Sequence, residues 1–225
     1  MTDYTLYYWP IPFRGHFIRY IFAHVGASWD EPSFDTVATV KNAPVSQQPY
    51  PFLAPPMLHD HATGKRLSQM PAIAMYLGRK HKLVGDPDET LRLLCDANDI
   101  LLEITRGHGA QMWDHPSWAE FTENRLPRWM RLHERVAAEL ALTARTPNLC
   151  CLTLAALWHT MIDALPGLRP LLHDNAPGVE ALVDRIAARK AIAAMLDDWR
   201  DDGPDYCGGQ IEASIRDMLT EGESA

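Results

Sequence analysis

The sequence predicts a small α/β domain followed by an all-helical one. Three observations carry that reading. Residues 4–85 alternate short β-like and helical patterns, with most of the prolines between 10 and 56. Gly85-Asp86-Pro87-Asp88 is a run of turn residues that separates periodic segments. Beyond it, apolar residues recur almost wholly at helical spacing. The expected domains are therefore 1–85 and 86–225, without an internal repeat or a low-complexity segment.

Thr5-Leu6-Tyr7-Tyr8-Trp9 is aromatic and β-branched enough to form a strand, which Pro10 ends. From Gly15, the apolar residues Ile18, Ile21, Phe22 and Val25 form one helical stripe, closed by Gly26. Trp29 to Phe34 reads as a short second strand, and Asn42 to Pro51 as a polar, Pro-rich loop. Pro56-Met57-Leu58-His59 and Lys65-Arg66-Leu67 flank a turn containing Gly64, the pattern of a hairpin. A helix from about Pro71 to Lys80 follows, with Pro in its favoured first turn. The expected order is β-α-β, then β-β-α.

In the second half, Leu91, Leu94, Leu101 and Ile104 form one stripe; Trp129, Leu132, Val136 and Leu140 form another after Pro127. Asn148 is a good N-cap for a nearly all-apolar helix reaching Asp163, which should be buried on all sides. Val179, Leu182, Val183 and Ile186 mark a further helix, and Ile211, Ile215 and Met218 a last one.

The 225 residues are 47% hydrophobic and 22% charged, enough to build a sizeable core. The net charge is −8 and no Lys/Arg cluster supplies a basic face, which argues against a nucleic-acid or acidic-lipid partner. No apolar run reaches the ~18 residues of a membrane span. The first residues lack the basic and then apolar segment of a signal peptide. The cytoplasm is the expected compartment. The four cysteines have neither CxxC nor zinc-site spacing and read as reduced, mostly buried thiols. His59-Asp60-His61 is the tight histidine pair, in a turn-like stretch, and no metal is expected there.

Function must come from particular residues. Three segments in order resemble the soluble glutathione transferases: Tyr7-Tyr8-Trp9-Pro10 with Arg14-Gly15; Pro55-Pro56-Met57-Leu58; and Ser68-Gln69-Met70-Pro71-Ala72-Ile73 leading to Tyr76-Leu77-Gly78. The resemblance covers most of the chain. It implies a thioredoxin-like first domain before the helical one, and a bacterial, cytoplasmic, homodimeric member with a tyrosine-type, pi-like N-terminal motif. It further implies glutathione as co-substrate, a small apolar electrophile as partner, and a role in detoxification.

Glutathione attacks as its thiolate, whereas a free thiol titrates near ~8.5 and is a few per cent ionised at pH 7. Lowering that pKa by two units requires about 2.7 kcal/mol of preference for the anion. A hydrogen bond to a charged group contributes roughly 1.5–3 kcal/mol, so one hydroxyl helped by a helix N-terminus suffices. In tyrosine-type members a Tyr at the end of the first strand donates that bond, and the matching residue here is Tyr8. On a strand Leu6 and Tyr8 share a face and Tyr7 points away; Tyr7 remains the alternative. No Cys follows the first strand, and residues 9–16 contain no Ser, which disfavours the cysteine and serine types.

The resemblance also assigns the ligand subsites. Arg14 matches a residue that contacts glutathione. Pro56 matches a cis-proline, and the residue before it pairs its backbone with the cysteinyl part. That residue is Pro55, which has no N–H. Gln69-Met70 stands where the family has Gln-Ser, so a hydroxyl for the γ-glutamyl group is missing while the Met70 N–H at a helix start remains. Asp96 falls where pi-like enzymes reach across the dimer to the γ-glutamyl amine. Trp9, Met112, Trp113 and Trp118 are the candidates for the electrophile pocket. The two departures forfeit about 0.5–1.5 kcal/mol each, giving an expected dissociation constant nearer millimolar than micromolar. Met70→Ser should then tighten binding at little steric cost. Two other readings stay open: a non-catalytic glutathione-binding protein, and a glutathione-dependent isomerase or peroxide reductase.

Overall fold

The computed structural model describes residues 2–201 and 205–222. A mixed four-stranded sheet in the order β2-β1-β3-β4 forms the first domain. β1 (Tyr4–Tyr7) lies at its centre, parallel to β2 (Trp29–Asp30) and antiparallel to β3 (Met57–Asp60), and β4 (Arg66–Ser68) pairs antiparallel with β3. The hairpin stands where the sequence places it.

α1 (Phe13–Val25) carries its apolar side chains on every side: Phe17, Ile18, Ile21 and Phe22 are all buried. The helix packs against α3 (Met70–Lys80) of its own domain and against helices of the second, so a polar face would have no solvent to meet. Gly26 ends it at φ 69°, the left-handed cap that glycine adopts without strain. Two expectations need correction here. The second strand stops at Asp30, and Phe34–Asn42, the stretch between the expected strand and the expected loop, is a helix, α2. The Ser33 hydroxyl accepts the Thr36 N–H and starts α2, and the Asp35 charge sits in its first turn. Only Val37 of α2 is buried.

The second domain opens with α4 (Pro87–Ile104), whose Asp86 cap accepts the N–H groups of Asp88 and Glu89. After α5 (Arg106–Gly109), α6 (His115–Glu120) runs through one wide turn, Phe121–Arg125, into α7 (Leu126–Glu139). Pro127 explains that turn, because it offers no N–H and its ring crowds the carbonyl of the preceding turn. The apolar helix of the sequence is α8 (Leu149–Leu154), a wide turn at Ala155–His159, and α9 (Thr160–Ala164). Asn148 Oδ1 caps it by accepting the Cys151 N–H at 3.1 Å, and the segment is buried through Ile162. α10 (Arg169–Asn175), α11 (Pro177–Ala187), α12 (Lys190–Asp201) and α13 (Gly209–Gly222) complete the domain. No single helix among the described residues is long and apolar enough to cross a membrane.

Candidate functional site

The connection from β1 to α1 is built around a buried cation. Arg19 is fully buried, and its guanidinium grips Glu31 through Nε–Oε1 (2.7 Å) and Nη2–Oε2 (2.6 Å). The same group donates to the Ile11 and Trp9 carbonyls at 2.9 and 3.4 Å, and lies 4.0 Å over the Trp199 ring. The loop Trp9–Pro12 is thus tied down by its carbonyls. Gly15 lets the strand end approach the helix: a Cβ there would stand 2.5 Å from both Tyr8 Cδ1 and Arg19 Nη1.

Tyr8, just past β1, is thereby laid over the first turn of α1. Its hydroxyl oxygen accepts the Arg14 N–H at 3.0 Å, so its own proton remains for donation. Burial pushes the phenol up to about 12, against the lowering effect of the Arg14 charge and of backbone N–H groups. Tyr8 therefore stays a proton donor throughout the neutral range. Tyr7 is only half-buried, lies opposite Met57 in the sheet, and is not part of the cleft that Tyr8 lines.

That cleft, of about 830 Å³, runs between the two domains. One wall carries Tyr8, Trp9, Arg14, Pro55, Pro56, Gln69 and Met70, and the Pro55–Pro56 bond is cis. The Arg14 side chain reaches across: Nε donates to Asn98 Oδ1 of α4 at 3.0 Å, and its guanidinium covers the Phe13 ring at 4.8 Å. Gln69 is exposed at φ 73° and immediately precedes α3, whose first N–H groups open beside it. Met70 differs from the expectation: its side chain is 1% exposed and belongs to the core, so substitution there carries a packing cost.

The opposite wall is the less regular one. Arg106, Gly107, His108 and Gly109 have φ of 43°, 69°, 60° and 77°, a left-handed turn closed by the Gly109 N–H on the Thr105 carbonyl at 2.6 Å. Such conformations cost about 1–3 kcal/mol each for a residue with a side chain. Arg106 offsets this by donating to the Met112 carbonyl (2.8 Å), Ser117 Oγ (2.7 Å) and Gln111 Oε1 (2.7 Å) while stacking on Trp113 at 4.9 Å. The turn brings His108 and Met112 to the cleft. Burial, with the Arg14 charge, holds the His108 imidazole below its usual value. Residues Cys207–Ile211 complete the wall; the buried Glu212 carboxylate fixes them by accepting the N–H groups of Tyr206, Cys207 and Gly208 at 2.7–2.9 Å.

Residues 89–218, more than half of the chain, match the model of the glutathione S-transferase C-terminal domain. This chain belongs to the glutathione S-transferase family. No curated protein sequence matches it. Among solved structures, it is similar to the pi-class glutathione S-transferase of Onchocerca volvulus, at 18% identity over 93% of this chain and 99% of that one, with a TM-score of 0.72. Prostaglandin synthase D of Nilaparvata lugens gives 17%, 87%, 97% and 0.64 in the same order, and NaGST-2 gives 21%, 92%, 100% and 0.63. At these identities the likeness establishes the fold: the thioredoxin-like sheet domain followed by the helical domain of the glutathione S-transferases. Members use glutathione as co-substrate and typically dimerise.

Within this family member, the expected site divides. Tyr8, Trp9, Arg14, Pro55, Pro56, Gln69, Met70 and Met112 meet in one cleft. Trp113 and Trp118 do not: Trp113 packs on Trp118 and Phe121 with centroids 5.1 and 5.0 Å away and donates Nε1–H to the Ile104 carbonyl at 2.9 Å. Trp118 is buried in the core and Trp113 is half-buried against it, so neither is among the residues that line this cleft. Asp96 also lies away from the cleft, 3.4 Å from Arg92 Nη1 and 3.8 Å from His133 Nε2; Asn98, two residues on, lines it. The sequence reading missed Asn98, His108 and the Cys207–Ile211 wall. Gly208-Gly209 was a visible signal for a tight turn; nothing in the sequence linked it to Tyr8. No group of three or more His, Cys, Asp or Glu suited to a metal occurs among the described residues. His61 is bonded to Thr5 Oγ1 at 2.8 Å.

Proposed function

We propose that the protein is a tyrosine-type glutathione transferase, which ionises the thiol of glutathione at Tyr8 and directs the thiolate at an apolar electrophile. The observation that carries this reading is the Tyr8 hydroxyl, which accepts the Arg14 N–H with its oxygen and keeps its proton for the cleft. That accepted bond polarises the hydroxyl and strengthens its donation to an anion. The α1 N-terminus adds its own preference for negative charge. Together they supply the roughly 2.7 kcal/mol that a two-unit fall in thiol pKa needs. The thiol proton leaves to solvent, the sulfur forms its bond to carbon, and either a leaving group departs with its electron pair or the displaced pair is protonated from water.

The γ-glutamyl carboxylate would sit at Gln69 and the first N–H groups of α3. The cysteinyl backbone would lie along Pro55, whose carbonyl accepts and whose ring withholds a donor. Arg14, fixed by Asn98, adds positive charge to the same wall. Trp9, Met112 and the left-handed turn would meet the electrophile. The reading takes 1–85 and 86–225 as the domains of a cytoplasmic homodimer. The reach of Asp96 to the amine of glutathione in a second subunit belongs to the dimer part of the proposal. The missing Pro55 N–H favours weak binding, and so keeps the non-catalytic binder as a second reading.

Tyr8→Phe tests the proposal. Turnover on an activated aryl halide should fall by about 10- to 1,000-fold, from the loss of roughly 1.5–3 kcal/mol of thiolate stabilisation and some rearrangement. Tyr7→Phe should be nearly silent. A protein retained on glutathione-agarose yet inactive towards aryl halides, hydroperoxides and maleyl compounds would support the binder instead.

A further inference from the structure

Among the described buried side chains, the Tyr206 hydroxyl has no hydrogen-bond partner, although the residue is 1% exposed. An unpaired buried donor costs about 1–3 kcal/mol, so its retention calls for a reason. Two other orphans have a local setting: His133 Nε2 faces Asp96 at 3.8 Å, and Thr160 lies within α9. Tyr206 is different, because it stands directly behind the cleft. Its ring meets Phe13 edge-on, with centroids 5.4 Å apart and planes at 89°. Phe13, Arg14, Cys207 and Gly208, its neighbours in space or sequence, all line the cleft. The backbone is pinned by the Tyr206 N–H on Glu212 Oε1 at 2.9 Å. Burial keeps the phenol protonated, and Cys207, Arg14, Tyr8 and Glu212 all stand close enough to act on it electrostatically.

We infer that Tyr206 is a positioning residue of the thiol site, a buried phenol whose unpaired O–H dipole turns towards an anion bound at Tyr8. This rests on the reading of the cleft as the place where glutathione is ionised. No acceptor among the described residues holds the hydroxyl, so it rotates about its C–O bond without disturbing the packing. Behind the aromatic wall little water screens it, and a dipole there acts over more than one contact distance. Preorganised dipoles aimed at developing charge stabilise that charge without solvent reorganisation. Sealed from the cleft surface, the hydroxyl acts through the field at Tyr8 and Arg14 rather than by touching sulfur. The pattern is one in which a local rule of folding is broken at a site of chemistry.

The inference separates stability from chemistry. Tyr206→Phe removes an unsatisfied group, so its melting temperature should hold or rise. With glutathione as the probe, thiolate absorbance of the bound thiol should titrate higher, leaving roughly 3- to 10-fold less thiolate at pH 6.5. The kcat/KM on an aryl halide should fall by the same factor at pH 6.5 and recover as the pH rises. Tyr8→Phe run in parallel should move the titration further. A Tyr206→Phe titration identical to that of the unmutated protein overturns the inference, whichever way the melting temperature moves. If Tyr8→Phe is silent too, or the unmutated protein does not bind glutathione, the reading of the cleft falls with it.

Discussion

Replacing Arg19 by Met should unfasten the segment that carries Tyr8. In the folded chain Arg19 is 0% exposed, and its guanidinium is shared between the Glu31 carboxylate and the carbonyls of Trp9 and Ile11. Removing one partner of a buried ion pair costs about 3–5 kcal/mol, because the other charge is left uncompensated. Here Glu31 keeps a bond from Trp29 Nε1 at 3.0 Å and its side chain is 22% exposed, which places the carboxylate towards the lower figure. The released carbonyls add about 1 kcal/mol, for a total of about 4 kcal/mol. In a chain of this size each kcal/mol moves the midpoint by about 2–4 °C, so melting should fall by roughly 8–16 °C. Calorimetry of Arg19→Met, Glu31→Gln and the double variant would measure it. The double variant should be less damaged than the sum of the singles by about 2 kcal/mol, since it leaves no orphaned charge. A loss under about 1 kcal/mol in Arg19→Met, or strict additivity, would refute the reasoning.

Met70→Ser should lower stability by about 2–5 kcal/mol, the cost of emptying a core site, and denaturant midpoints with glutathione calorimetry would separate that loss from any gain in affinity. Of the free thiols, exposed Cys95 should be alkylated first at pH 8. Cys207, pushed up to about 12 by burial and the Glu212 charge, presents roughly one thiolate in 10⁴ and should stay unlabelled on the same timescale in peptide mass maps. Burial raises the Asp60 carboxyl, and hydrogen bonds from Lys80 and Tyr76 more than reverse this, so it titrates below the ordinary aspartate range. A depressed folded pKa gives stability that is complete above the unfolded value and is lost as the pH falls through the folded one. Melting temperatures of Asp60→Asn between pH 5 and pH 2 should therefore fall less steeply than those of the unmutated chain.

What could be read from sequence follows from how local the signals are. β1, α1 and the Asn148 cap each announce themselves within a few residues, through aromatic and β-branched composition, a 3.6-residue stripe and a capping side chain. α2 escaped because Thr36, Val37, Thr39 and Val40 are β-branched and only Val37 is buried, so neither propensity nor an apolar stripe marks it. On the wall that carries Tyr8, the residues belong to three short motifs, each local in sequence, and they fall together. The other wall is assembled from α4, the turn at 105–109 and residues 207–211, a juxtaposition that no local pattern encodes. Trp113 and Trp118 show the limit most plainly, since an apolar side chain beside a pocket and one inside it have the same composition.

The left-handed turn sets the terms on which this pocket can change. At positions 106 and 108 a backbone conformation is imposed that glycine, asparagine or aspartate adopts with less strain than most residues, and that a β-branched side chain resists. Substitutions there are thus sorted by backbone before any ligand is met. A change of His108 to Gly would relieve strain and widen the cleft in one step, so a wider cleft is thermodynamically downhill at this corner. The present shape of the turn is held against that slope by Arg106, with its three acceptors and the Trp113 ring.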